Sequence, residues 1–209
     1  MKNINKNLEI WFYIVPFLIA WLAIIQISGI SNVFSYEAIK RVPDAVMYTG
    51  IFYLIFSRLL WQLKILHPWL VPYPNIQGTW VGTLESTWIN PKTGKRIAPI
   101  PVQFCIKQDF ESLRISMFTK ESSSFSQAAR FVDESDKSLS ISYTYSNKPE
   151  AKVRDRSEIH DGAAYIRIID NDNMILKGEY WTSRKTTGDI NIKKVSRNFI
   201  NSFDEKIVE

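Results

Sequence analysis

Pro74-Asn75-Ile76-Gln77-Gly78-Thr79-Trp80-Val81-Gly82-Thr83-Leu84-Glu85 is where the chain changes character. Before it lie two long apolar runs. After it, apolar and polar residues alternate with period two as far as about Val195. Gly78, Trp80 and Gly82 stand at two-residue offsets, so a strand points all three to one face. An indole between two glycines suits the closed end of a barrel, where the ring plugs the bottom and the glycines let the strand coil sharply. An ordinary first strand with a core tryptophan carries the same residues. The motif therefore takes its weight from its position at the seam.

Composition sets the outer bounds. The 209 residues hold 26 Lys and Arg against 21 Asp and Glu, with six basic and three acidic groups before residue 75. Neither half concentrates basic charge as a nucleic-acid surface does, so no DNA or RNA partner is expected. Cys105 is the single cysteine, which rules out an intramolecular disulfide framework and a thiolate metal cluster. The two histidines, His67 and His160, lie far apart in sequence without spaced carboxylate partners. Thr93-Gly94-Lys95 reads as a turn, and neither Gly-x-Ser-x-Gly nor His-Glu-x-x-His occurs. No enzyme, metal or cofactor is expected.

The first apolar run, Ile10 to Ile30, has 21 residues without a charge, enough to cross a bilayer. Trp11 and Tyr13 near its start suit the interface. The second, residues 45–66, is interrupted by Arg58 and Lys64, both able to snorkel. Arg58 is the candidate functional charge of the membrane region, with a plain interfacial arginine as the alternative. Lys2, Lys6, Arg58 and Lys64 against Lys40 and Arg41 tilt both termini to the cytoplasm. The expected organisation is a two-helix transmembrane region over 1–66, a proline-rich linker over 67–74, a soluble β-barrel over 75–197, and a tail over 198–209.

Eight strands are predicted, near 78–88, 99–108, 112–120, 124–132, 138–146, 163–170, 174–183 and 188–195. Turn-forming clusters separate them, at 90–94, 133–137 and 170–173 among others. Short connections and even spacing imply antiparallel neighbours. The fold class is thus a membrane-anchored, all-β, eight-stranded up-and-down barrel. The charged stretch 147–162 is read as a lid or as a solvated loop.

Alternation also sorts the faces. Leu176, Gly178, Tyr180, Thr182 and Arg184 fall on one side, opposite Lys177 and Glu179. Leu139, Ile141, Tyr143 and Tyr145 join them, as do Val102, Phe104, Ile106, Leu113, Ile115 and Met117, with Thr119 continuing the last line. One end of the barrel is then plugged by Trp80 and aliphatics, and the other is polar. The candidate ligand contacts are Thr119, Arg130, Tyr143, Tyr145, Tyr180, Thr182 and Arg184. Two of them stay open: Arg184 could reach the rim and meet only water, and residues 125–131 show no clean face, so Arg130 could point either way. Tyrosines and an arginine suit a flat anionic ligand.

The two apolar runs, the proline-rich seam, Gly78-Thr79-Trp80-Val81-Gly82, and a strand-only domain with Leu176-x-Gly178-x-Tyr180 and Thr187-Gly188 together resemble one known group. These are the two-transmembrane, β-strand-rich effectors of bacterial cyclic-oligonucleotide anti-phage signalling (CBASS), and the likeness spans essentially the whole chain. Gly78-Thr79-Trp80 is also similar to lipocalins and fatty-acid-binding proteins, which lack the spans. The first resemblance implies a barrel that binds a cyclic dinucleotide made by a partner nucleotidyltransferase after infection. It further implies ligand-driven homo-oligomers that disrupt the bacterial inner membrane and kill the infected cell. A tethered lipocalin-like carrier of an apolar ligand and a structural membrane subunit are the competing readings.

Overall fold

The alternating half of the chain closes on itself. A computed structural model describes residues 6–91, 93–136, 138–170 and 174–207. Lys2, the turn residues Lys92, Lys137 and 171–173, and the last two residues of the expected tail lie outside the described residues. The chain divides into two units, one ending at Pro72 and one beginning at Tyr73.

In the second unit the strands are β1 (Gly78–Ser86), β2 (Ile100–Gln108), β3 (Leu113–Phe118), β4 (Ser122–Asp133), β5 (Leu139–Pro149), β6 (His160–Asp170), β7 (Ile175–Thr182) and β8 (Thr187–Ser196). Each pairs antiparallel with its sequence neighbour, and β1 pairs with β8, so the sheet is a closed up-and-down barrel. Closure removes the free edges that an open sheet of this size would present.

The inward faces are those that alternation assigns. Trp80, Val102, Phe104, Ile106, Ile115, Ile141, Ile166, Leu176 and Ile192 form the buried core. The Trp80 ring is fully buried, and its Nε1–H donates to the Ile76 carbonyl at 2.9 Å. Residues 73–76 cross this end of the barrel. Tyr73 stacks on Phe131 of β4 at 4.6 Å, and Ile76 N–H donates to Oε1 of Gln108 at the end of β2. Gly78 has φ +129, and a Cβ on Gly82 would run into the β8 backbone at Asn191. Both glycines therefore let β1 and β8 approach more closely than side chains permit.

Strand β4 carries a β-bulge between Ser126 and Ala128. A bulge of one residue swaps the faces of the residues beyond it. Ser124 is buried before it, and Ala129 and Phe131 pack on the core after it. Arg130 is consequently on the outer, exposed face. That settles the ambiguous orientation of this residue and removes it from the interior.

The expected tail is not free. Residues 197–207 lie along the outside of β1 and β2. Thr79 Oγ1 donates to the Asn198 carbonyl at 2.6 Å. Gln103, fully buried although it faces away from the core, donates through Nε2 to the Asp204 carbonyl and accepts from Asp204 N–H. Cys105 is buried on the same outer face.

The first unit contains α1 (Lys6–Ile27), a single turn α2 (Tyr36–Ile39) and α3 (Val42–Arg58). Within α1, Ile10–Ile27 is the one described segment with the length and apolarity of a membrane span. The second helix differs from expectation. Val42-Pro43 opens it, with proline in the first turn where its missing N–H costs nothing. It stops at Arg58, and residues 60–66 form two short 3-10 turns in place of more helix. The His67 ring bonds the Trp61 carbonyl across these turns at 3.0 Å. The 17 residues of α3 rise about 25 Å, less than the roughly 30 Å of hydrocarbon. Arg58 thus occupies the last turn of a short helix, where a cation complements the helix dipole, and does not interrupt a longer span. Phe12 and Phe56 pack edge to face at 4.7 Å between α1 and α3.

Candidate ligand-binding site

The core fills only one end of the barrel. At the other, a cavity of about 990 Å³ opens, with Leu84, Ile100, Met117 and Ile190 among its inner lining residues. Its polar lining brings together Thr119, Tyr143, Tyr145, Tyr180, Thr182 and Arg184, six of the seven candidates read from alternation. Arg130 is absent from the lining because the bulge turns it outward.

Two glycines shape this space. A Cβ on Gly162 of β6 would sit 2.5 Å from the Tyr145 ring, so that ring lies flat over the neighbouring strand. A Cβ on Gly188 of β8 would likewise sit 2.6 Å from the Tyr180 ring. The aromatic groups therefore lie back against the wall and leave the middle open. Tyr143 and Tyr145 are nearly buried, with ring centroids 5.7 Å apart. Burial pushes both phenols well above their ordinary range, so each remains a neutral hydroxyl able to donate.

Arg184 is not on β7, which ends at Thr182, but in the turn beyond it. There it is exposed at the rim, as the alternative placement allowed, yet it still faces the cavity. Its guanidinium donates to Ser157 Oγ at 3.2 Å and lies 3.5 Å from His160 Nε2. The His160 Nδ1 bonds the Glu158 carbonyl at 2.8 Å, which assigns the proton to Nδ1 and leaves Nε2 to accept from Arg184. Burial, helped by Arg184, lowers the His160 pKa and keeps the ring neutral at pH 7.

The other cations on the lining are matched, Arg156 by Glu121 and Lys120 by Glu205; the carboxylates of Asp155 and Glu158 also line it. Arg184 has no carboxylate partner among the described residues. It is the cation left for an incoming anion. Thr119 and Thr182 are partly committed, since Thr119 Oγ1 caps the β3–β4 turn at Ser122 and Thr182 Oγ1 meets Thr186 Oγ1 at 2.7 Å.

Two parts of the lining escaped the sequence reading, the end of β5 and the C-terminal segment. Asn147 and Pro149 belong to it because β5 runs three residues beyond the expected end at 146. The 147–162 stretch is strand only at its two ends; its middle, from the 3-10 turn Ala151–Val153 to Glu158, borders the opening as a loop. Phe203 and Glu205 reach the rim from the C-terminal segment. Among the described residues, no group of three His, Cys, Asp or Glu side chains gathers to hold a metal.

The sequence of this barrel matches a known receptor domain. A family model described as "Cap15, cyclic dinucleotide receptor domain" matches residues 71–194, which include all eight strands to within two residues of the last. The chain is 27% identical over 195 residues to the CD-NTase-associated protein 15 of Staphylococcus schleiferi, covering 92% of this chain and 98% of the relative. It is 26% identical over 147 residues to the protein of the same name from Escherichia albertii, covering 70% and 73%. A closed eight-stranded barrel with a polar cavity and a match over more than half the chain lead to one conclusion: the chain belongs to the family of the Cap15 cyclic dinucleotide receptor domain.

Proposed function

We propose that the chain is a CBASS effector in which the barrel cavity binds a cyclic dinucleotide and the N-terminal helices act on the bacterial inner membrane. One observation carries the reading. Within the matched receptor domain, the inward residues converge on a cavity whose unpaired cation is Arg184 and whose walls are tyrosine. Guanidinium suits the phosphodiester, tyrosine faces suit the bases, and neutral hydroxyls suit ribose and phosphate oxygens. The volume falls at the upper end of small-molecule sites, in keeping with a ligand of two nucleotides. The proposal gives the barrel no catalytic step.

In the full proposal, both apolar runs lie in the membrane with the termini cytoplasmic. The exposed apolar side chains of both helices support this, among them Ile19 and Leu22 on α1 and Val46 and Leu54 on α3. The shorter α3 is accommodated by local thinning and by Arg58 snorkelling to the headgroups. Ligand made by a partner nucleotidyltransferase drives homo-oligomerisation, which raises the effective concentration of the helices and disrupts the membrane.

The test tracks membrane potential and oligomer size together in cells expressing the full chain, with and without a cyclic dinucleotide synthase. Depolarisation and larger assemblies are expected only with the synthase. Depolarisation without it, or leakage from a protein that stays monomeric, contradicts the mechanism.

A further inference from the structure

The open end of the barrel carries one kind of turn twice. Between β3 and β4, Thr119 N–H donates to the Ser122 carbonyl at 2.9 Å, and the two hydroxyls meet at 3.0 Å. Between β7 and β8, Thr182 N–H donates to the Thr186 carbonyl at 2.9 Å, and their hydroxyls meet at 2.7 Å. In each turn the closing N–H also donates back to the first hydroxyl, at 3.0 Å from Ser122 and 3.4 Å from Thr186. Each turn brings one cation to the cavity lining between its hydroxyls, Lys120 in the first and Arg184 in the second. The strand order sets these turns four strands apart in a ring of eight, on opposite sides of the mouth. Strands about 4.8 Å apart and tilted about 40° close such a barrel about 16 Å across. Two long basic side chains reaching in from opposite sides leave room for a small ring between them.

We propose that Lys120 is a second phosphate contact of the cavity ligand, across the mouth from Arg184, and that Glu205 occupies it until the ligand arrives. The proposal rests on the cyclic-dinucleotide reading above. A cyclic dinucleotide carries two phosphodiesters on opposite sides of its ring, each with a full negative charge. Arg184 on one wall can meet only one of them. Arg156, the remaining cation of the lining, belongs to the loop between β5 and β6 and not to the turn facing Arg184. The Lys120 ammonium lies 2.8 Å from the Glu205 carboxylate, and both side chains are largely exposed. An ion pair so open to water contributes little, so a phosphate displaces the carboxylate and returns it to solvent at little cost. The ammonium has three donors and no acceptor, which suits it to the exchange of one anion for another. Neither cation touches a base in this arrangement. The two together recognise the ring by its paired phosphates.

The test is a double-mutant cycle by calorimetry on the full chain in detergent micelles, titrated separately with cyclic di-AMP, cyclic di-GMP and cyclic di-UMP. For every ring that wild type binds, Lys120→Ala weakens binding about tenfold, the scale of one charge-assisted hydrogen bond. Lys120→Gln, which keeps most of the stem, shows the same loss. Glu205→Gln tightens binding about threefold, because the competitor for the ammonium is gone. In the Lys120→Ala background, Glu205→Gln changes nothing. Lys148→Ala removes an exposed lysine of β5 that is not on the lining, and leaves affinity as in wild type. Wild-type affinity in Lys120→Ala overturns the assignment while leaving the ligand class standing. So does a gain from Glu205→Gln that is the same with and without Lys120, or equal losses from Lys120→Ala and Lys148→Ala. If wild type binds none of the three rings, the cyclic-dinucleotide reading itself falls, and Lys120 as its second phosphate contact falls with it.

Discussion

The two ends of the barrel are built from the same strands and solve opposite problems. At the closed end, Trp80 shares one buried core with Phe104, Ile106, Ile115, Leu176 and Ile192, and its indole N–H is bonded to Ile76. Lys194 lies over the ring at 5.9 Å, partly desolvated, with its pKa lowered by burial. At the open end, two tyrosine rings fold back over glycines, and Arg184 and Asn147 are left without protein partners of matching charge or hydrogen-bonding capacity. The closed end contributes stability, and the open end gives some up to keep a site. Substitutions at one end should therefore move stability and at the other affinity.

The largest effect belongs to the plug. Trp80→Ala should destabilise the barrel by about 3–5 kcal/mol, read by denaturant or thermal unfolding, because a fully buried indole leaves a cavity that cannot collapse. A smaller loss, below about 1 kcal/mol, would break the contrast by showing that this end is loosely packed.

Arg184→Ala should leave unfolding unchanged and cost about 1.5–3 kcal/mol in cyclic-dinucleotide affinity, the value of a charge-assisted phosphate contact. Arg130→Ala is the internal control. It removes a guanidinium from the same barrel but from its outer face, and affinity measured by calorimetry should not move. Equal losses for the two arginines would mean that binding is general electrostatic attraction and not a contact at the rim.

Gln103→Ala should cost about 1–3 kcal/mol of stability through the two bonds to the Asp204 backbone. It should also raise hydrogen exchange in residues 198–207. Unchanged exchange would show that the segment is held by its other contacts.

The smallest effect is on pH dependence. Burial depresses the His160 pKa in the free protein below its ordinary value near 6.5. Folding therefore disfavours the protonated ring, and His160 should make the free barrel less stable as pH falls through about 6.5. A phosphate beside Arg184 favours the charged imidazolium, so binding takes up a proton and tightens as pH falls through the same range. His160→Gln should abolish that slope while Arg184 still binds. A slope that persists in His160→Gln would assign the proton to another group.

Much of this contrast is legible in the residues themselves. Period-two alternation identifies eight strands and places Tyr143, Tyr145, Tyr180 and Thr182 on the inner face, because a strand's geometry fixes every second side chain. Alternation misses whatever breaks the period or depends on distant chain. The bulge at Ser126/Ala128 swaps the faces of β4, so Arg130 has no readable side. Asn147-Lys148-Pro149 has the composition of a loop, yet pairs with Ser122 to Ser124 as strand. Gln103 looks like a solvent-facing position, yet it is buried where the C-terminal segment returns and bonds it through Asp204. In the N-terminal unit, the charges at Arg58 and Lys64 mark an interruption of the apolar run, but apolarity counts residues and not helical continuity, so it does not show that α3 stops at Arg58.

The central claim, that the open end of this barrel is a cyclic-dinucleotide receptor site, is most directly tested by ligand-dependent unfolding of the full chain in detergent. Wild type and Arg184→Ala should be melted with and without a saturating cyclic dinucleotide. At a concentration 100 times the dissociation constant, wild type should gain about 2.7 kcal/mol. Arg184→Ala should gain far less at the same concentration. No gain in wild type with any cyclic dinucleotide, or an equal gain in both proteins, would contradict the account.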